Sequence, residues 1–289
     1  MLPLRDKSGF AIPSEFQATR RQAKTQVALW LTLLTFVALW ATNASAAGAT
    51  SPVAYPSGRG GLIVVGFVGG FVHRDDRRHS EVQLAEKLQS EYGDRAHVSI
   101  FQNRHRKKAH AEIIRWLDQN RDGGLTDSER GEARVILYGH SWGASAAIAL
   151  ARELQKDRIP ILLTVQVDSI AKPGLDDHLI PANVARAINF YQTHGLLHGE
   201  QQIVASDPVH TQLLGNFRFD YKKTPEACSA YPWLARHLFK GHTSIECDPN
   251  VWSRIEALID EYAFPDQIER ASSGSRDFQP AAALVSGSQ

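Results

Sequence analysis

The stretch from Val135 to Ala147, VILYGHSWGASAA, constrains this chain more than any other. Val135, Ile136, Leu137 and Tyr138 are apolar on both faces, the pattern of a strand buried inside a parallel sheet. The run stops at Gly139, and after Gly143 come Ala144, Ala146, Ala147, Ile148 and Ala149, small residues that favour a helix. A buried strand, a sharp turn and a helix in so few residues leave the turn little freedom. A β-carbon at Gly139 or Gly143 would strike the neighbouring strand or helix, and Ser141 between them must adopt a strained backbone conformation.

Gly139, His140, Ser141, Trp142 and Gly143 spell G-x-S-x-G. The five-letter pattern alone is common, but the strand before it and the helix after it make it a nucleophile elbow that holds Ser141 Oγ above the sheet edge. The Trp142 amide falls in the first helical turn, where N–H groups lack intrahelical partners and the dipole favours negative charge, so it can serve an oxyanion. Leu62 to Phe67 reads as an earlier apolar strand ending in a glycine-rich loop. A second oxyanion donor is expected there, at Phe67 or Val68.

Strand and helix patterns alternate along the rest of the chain. Helices are expected at Ser80 to Tyr92 with Ser80 as N-cap, at Ala109 to Leu117, and at Asn250 to Tyr262, which carries Val251, Ile255, Leu258 and Ile259 on one face. Strands are expected at His97 to Phe101, Ile159 to Val167, Ala185 to Tyr191 and Asn216 to Tyr221. This alternation predicts an α/β fold with a mostly parallel sheet covered on both faces.

Over roughly Leu62 to Phe264 the chain resembles the α/β-hydrolase family. That resemblance implies a nucleophile, an acid and a histidine in this order along the chain. His242, in a Gly-His-Thr-Ser stretch that reads as a loop ahead of the closing helix, matches the family's histidine loop. His237, His210 and His198 compete, and His140 packs beside the elbow. Asp168, which follows the strand after the elbow helix, is the expected acid, although the family more often places it after the next strand. Asp207 is the alternative, ahead of Asp176 and Asp177. The implied chemistry is acyl transfer, because a serine hydroxyl needs an adjacent base and an acid to orient that base.

A second motif stands apart from this chemistry. Asp118, Asn120, Asp122, Gly123 and Glu129 fit D-x-[DN]-x-[DN]-G-x5-E and resemble an EF-hand calcium loop over 118–129. The resemblance implies ligands at Asp118, Asn120, Asp122, the Gly124 carbonyl, Thr126 through water, and bidentate Glu129. The exiting helix must be short and no second EF-hand is visible, so a lone structural Ca2+ is expected rather than a sensor. His73, Asp75, Asp76 and His79 are interleaved with Arg74, Arg77 and Arg78, and read as ion-paired loop residues instead of another metal cluster.

The chain has 289 residues and a 43% hydrophobic fraction, enough for one large domain, and its net charge of +1 supplies no field for nucleic acid. Arg20, Arg21 and Lys24 precede an apolar run from Val27 to Ala41, followed by Ala44, Ser45 and Ala46, which is the layout of a secretory signal or an uncleaved N-terminal anchor. The expected organisation is a signal or anchor at 1–46, a linker at 47–61, the α/β domain at 62–270 and a polar tail at 271–289. Export to the periplasm or outside the cell would oxidise the two cysteines, Cys228 and Cys247, into a disulfide.

Together these features predict an exported serine hydrolase acting on carboxylic esters of an acyl or lipid-like kind. Peptide or thioester bonds are substrates open to the same triad. The competing class is a calcium-stabilised binding protein that keeps the fold without turnover. The aromatic series Phe217, Phe219, Tyr221, Tyr231, Pro232 and Trp233 reads equally as an apolar lid or as core. Oligomeric state is not legible.

Overall fold

The computed structural model of the chain describes residues 61–222 and 228–265. Its strands are β1 (Leu62–Val68), β2 (Ala96–Gln102), β3 (Arg134–His140), β4 (Ile161–Val167), β5 (Leu179–Ile180), β6 (Arg186–Gln192), β7 (Val204–Ala205) and β8 (Gln212–Phe219). The helices are α1 (Ser80–Tyr92), α2 (Arg106–Leu117), α3 (Asp127–Gly131), α4 (Trp142–Lys156), α5 (Trp233–Leu238), α6 (Lys240–Glu246) and α7 (Pro249–Ala263). A six-stranded sheet runs in the order β2-β1-β3-β4-β6-β8, with every neighbouring pair parallel. β5 and β7 form a separate parallel pair.

The alternation of side chains along β3 shows how the sheet is covered on both faces. Val135 and Leu137 join a cluster with Ile113 and Leu117 of α2 and Ala147 and Leu150 of α4. Ile136 and Tyr138 point the other way, into a cluster with Leu84 and Leu88 of α1 and Ile255 and Ile259 of α7. Each such buried aliphatic side chain contributes about 1.5–3 kcal/mol relative to exposure. This is an α/β-hydrolase fold, with the elbow at the end of a central strand.

Several element boundaries differ from the sequence reading. α1 starts at Ser80, but its N-cap is His79 and makes no side-chain cap bond, so Ser80 is already helical. α2 starts at Arg106 after a 3-10 turn at Asn103–His105, so the basic residues from Arg104 to Lys108 straddle two elements. β8 lies at Gln212–Phe219, earlier than the alternating residues indicated. Its pairing with β6 jumps from Leu213 to Gly215, and this irregularity hides the period of two until Asn216. Residues 1–60 and 266–289, which carry the expected signal or anchor, nearly all of the linker and the tail, lie outside the described residues. Among the described residues no helix is long and apolar enough to cross a membrane.

Cys228 and Cys247 are joined as a disulfide, with Cα atoms 5.4 Å apart and a sequence separation of 19. The closed loop contains α5 and α6, and closing a loop of this length contributes about 3 kcal/mol in the chain-entropy account. Because the sheet is parallel, the loops leaving β1, β2, β3, β4 and β6 all emerge at its carboxyl edge, where open α/β sheets place their sites.

Candidate active site

Ser141 stands between β3 and α4 at φ +57° and ψ −126°. A non-glycine residue held there costs about 1–3 kcal/mol, so the surroundings must fix it. They do so through its backbone: Ser141 N–H donates to the Val167 carbonyl at 2.9 Å, and the Ser141 carbonyl accepts from Ser145 and Ile170, each at 3.3 Å. The two flanking glycines are sterically required. A β-carbon at Gly139 would lie 2.5 Å from the Gly143 carbonyl carbon, and one at Gly143 would lie 2.2 Å from the Phe67 carbonyl oxygen.

His242 reaches this serine from far along the chain. Its Nε2 lies 3.0 Å from Ser141 Oγ and its Nδ1 lies 2.6 Å from Asp168 Oδ2. An imidazole nitrogen facing a carboxylate carries the proton, which leaves Nε2 as the acceptor for the serine hydroxyl. All three side chains are buried, with Ser141 6%, His242 5% and Asp168 0% exposed, so solvent competes little for these bonds. The histidine sits on the short helix α6, not in the loop that the sequence suggested.

Asp168 follows β4 directly, at φ +42°. Its Oδ1 accepts from the N–H groups of Gly199 (2.9 Å) and Gln192 (3.3 Å), and its Oδ2 accepts from the Gln192 side-chain amide (2.7 Å) as well as from His242. Burial pushes this carboxyl up, but the His242 hydrogen bond and charge, Gln192 and Gly199 outweigh it and hold the pKa below the ordinary aspartate value. Asp168 is therefore the ionised, oriented partner of the imidazole.

The other candidates are elsewhere. Asp207 and His210 pair with each other at 2.7 Å just before β8, at the amino edge of the parallel sheet. His237 is exposed and its Nδ1 contacts the Trp233 carbonyl, and His198 is exposed as well. Asp176 accepts backbone N–H groups from His178 and Leu179, and Asp177 is bound by Ser169 Oγ. Phe67 and Val68 end β1, with Phe67 in register with Gly139 and both residues buried. The Val68 carbonyl accepts from Asn103 Nδ2.

A second buried polar group backs this arrangement and was not found in the sequence. His140 lies against His242, ring centroids 4.5 Å apart, and its Nδ1 is 3.6 Å from Glu81 Oε1. Glu81 also accepts the Gly69 N–H at 3.3 Å, in the loop after β1. Ligand-type atoms of His79, Glu81 and Glu246 all lie within 4.8 Å of one another. Two buried carboxyls this close cannot both ionise freely. Burial and then the Glu81 charge push Glu246 up; burial also raises Glu81, but His140 and His79 outweigh it and Glu81 is the ionised member. A signal for Glu81 was present: with Leu84, Ala85 and Leu88 it completes the buried stripe of α1, a charge on an apolar face. Glu246 lies one helical turn after His242.

Between His73 and His79, Asp75 pairs with Arg74 and His73, and Asp76 with Arg78, as the interleaved arginines implied. Of the aromatic series, Phe217 and Phe219 pack on Phe190, and Tyr221 donates to Asp248 at 2.7 Å, so these three belong to the core. Trp233 is 63% exposed on α5.

The 118–129 loop turns through Arg121 at φ +59° and Gly123 at φ +87°. Asp118 oxygens accept the N–H groups of Asp122 and Gly123, Asn120 Oδ1 accepts that of Asp122, and Asp122 Oδ1 that of Gly124. Thr126 and Glu129 form a capping box at the start of α3, and Glu129 also accepts from Gln119 at 2.8 Å. The Asp118, Asn120 and Asp122 oxygens that accept these N–H groups each keep a lone pair suited to a hard cation, whereas both Glu129 oxygens already accept two bonds each, one from the Gln119 and Asn120 N–H groups and the other from the Thr126 N–H and hydroxyl, which a bound ion would have to displace.

An α/β-hydrolase scaffold with a serine, a histidine and an aspartate in hydrogen-bonded sequence at its carboxyl edge is the class that fold and geometry define. No protein family matches the chain, and no curated protein matches it. Among solved structures it is similar to a dienelactone hydrolase from Anabaena variabilis ATCC 29413, at 15% identity and a TM-score of 0.34, over 73% of this chain and 88% of that one.

Proposed function

We propose that this chain is an exported serine hydrolase that cleaves carboxylic esters of an acyl or lipid-like kind through a Ser141, His242 and Asp168 triad. The observation that carries the reading is the pair of hydrogen bonds at 3.0 and 2.6 Å that links the three side chains in a buried site. His242 Nε2 takes the hydroxyl proton as Ser141 Oγ bonds to the ester carbon. The resulting oxyanion is held by the Trp142 N–H and one from Phe67 or Val68, and each such donor is worth about 3–4 kcal/mol in the transition state. The tetrahedral carbon then expels the alkoxide, which leaves with the proton from His242. Water, deprotonated by the same imidazole, attacks the acyl-enzyme and releases the carboxylic acid. The disulfide and the Arg20 to Ala46 layout support export.

The full chain is expected to hydrolyse p-nitrophenyl esters with saturation and with a preference for one acyl length. A panel from acetate to palmitate that shows no turnover above buffer for any member overturns the enzyme reading and favours the binding protein.

Calcium at the 118–129 loop is the second part of the proposal. Asp118, Asn120, Asp122, the Gly124 carbonyl, Glu129 and Thr126 through water would hold it. The loop feeds β3 at the end opposite Ser141, so the ion would act on stability and take no part in the chemistry. With a Kd of about 10⁻⁴ to 10⁻³ M, 10 mM Ca2+ would add about 1.5–3 kcal/mol. Calcium is expected to raise the melting temperature of the wild type and leave that of Glu129→Gln unmoved, with kcat unchanged. Equal melting curves with calcium and with chelator contradict the assignment.

A further inference from the structure

Beside the nucleophile elbow stands Lys172, a cation with no ion-paired carboxylate among the described residues. Lys172 lies in the loop after β4, two residues past Ile170, whose N–H bonds the Ser141 carbonyl. Its Nζ donates to Asn103 Oδ1 and stands 5.3 Å from the centroid of the Trp142 ring. Asn103 in turn donates to the Val68 and Gly70 carbonyls, so the ammonium is tied to the loop from which the second oxyanion donor is proposed. Phe71 of that loop meets the Trp142 ring at 5.4 Å. The lysine is thus fixed between the residue after the nucleophile and the turn after β1.

Its electrostatic surroundings are unusual for a fixed cation. Burial first, then Arg106 and Arg104, holds Lys172 below the ordinary lysine value, and among the described residues no carboxylate pairs with it. Arg106 is neutralised by Glu153 at 2.9 Å, whereas Arg104 donates to the neutral amide of Gln102. The nearby His105 is depressed by burial and by Lys108, Arg104, Arg74 and His73, of which Arg74 and His73 share Asp75. A half-buried ammonium among like charges costs free energy in the unliganded protein. An anion on the ligand removes that cost, and bound there it gains a charge-assisted hydrogen bond.

We propose that the site selects esters carrying an anionic group, a carboxylate or a phosphate, a short chain away from the scissile carbonyl, with Lys172 as the residue that binds the anion. This rests on the serine-hydrolase reading and narrows its substrate class. Arg104 adds long-range attraction from the rim.

The test compares methyl valerate with monomethyl glutarate, chains of matching length that differ by one carboxylate, by pH-stat at low ionic strength. Wild-type protein is expected to show a KM for the glutarate ester about tenfold below that for the valerate ester, the effect of one hydrogen bond to a charge. Lys172→Met should erase this difference by raising the glutarate KM, with kcat and the valerate KM within twofold. Lys172→Arg should restore it, and 0.5 M salt should erode it in the wild type without any substitution. Equal KM values for the two esters in the wild type overturn the proposal, as does a Lys172→Met variant that loses both esters alike. Turnover of neither ester, and of no p-nitrophenyl ester, would instead remove the hydrolase reading beneath it.

Discussion

Replacing Ser141 by alanine is expected to lower kcat for an activated ester by on the order of 10⁶-fold while the protein stays folded. The loss is this large because in the proposed mechanism the hydroxyl forms the bond to the ester carbon, and alanine leaves His242 Nε2 without the oxygen it meets at 3.0 Å. Alanine fits the site. The backbone bonds that hold residue 141, to Val167, Ser145 and Ile170, involve no side-chain atom, and the strained φ of +57° is retained. Unchanged secondary structure and melting temperature with turnover at background is the expected pair of results. An alanine variant with residual rates within a few-fold of the wild type would move the chemistry to another residue.

Asp168→Asn is expected to cost about 10⁴-fold in kcat with little change in KM. An amide in place of the carboxylate can present its NH2 to His242 Nδ1, which favours the wrong tautomer and puts the proton on Nε2, where the serine needs an acceptor. It also removes the negative charge that stabilises the imidazolium. The same substitution tests linkage. Asp168 has a pKa below the ordinary aspartate value, so its ionised form contributes stability at pH values above the ordinary range near 4, and this contribution is lost as pH falls through the lower folded-state value. Asp168→Asn should flatten that acid limb of the stability curve. Asp168→Ala should unfold more readily, because it strands the Gln192 amide and the Gly199 N–H in the interior.

The elbow was readable before any coordinates because its signals are local: an apolar run, two glycines at a fixed distance and a string of alanines. The order of serine, acid and histidine was also legible, since it needs only types and sequence order. Choosing between Asp168 and Asp207 was harder. What separates them is that one follows a strand and the other precedes one, and in a parallel sheet this puts them at opposite edges. His242 lies within bonding distance of Ser141, but on a short helix and not in the expected loop, because a short helix closed by a disulfide carries no sustained period.

What escaped were the groups that distant segments bring in behind these three residues. Gln192 and Gly199 orient Asp168 from 24 and 31 residues away. Glu81 and Glu246 meet across 165 positions of sequence, a proximity no pattern predicts. Their buried charge beside His140 ties the turn after β1 to the helix of the base. Lys172 was equally invisible, because its lack of a carboxylate partner among the described residues is a property of the fold and not of its neighbours in sequence.

The central claim is that His242 activates Ser141 Oγ. It is tested most directly by treating the full chain with a fluorophosphonate, which traps an activated serine as a phosphonyl ester with loss of fluoride, and mapping the adduct by peptide mass spectrometry. The account predicts one adduct per chain on Ser141 in the wild type, and labelling slowed by several orders of magnitude in His242→Ala. An adduct on another residue, or labelling of Ser141 at the same rate without the imidazole, would contradict it.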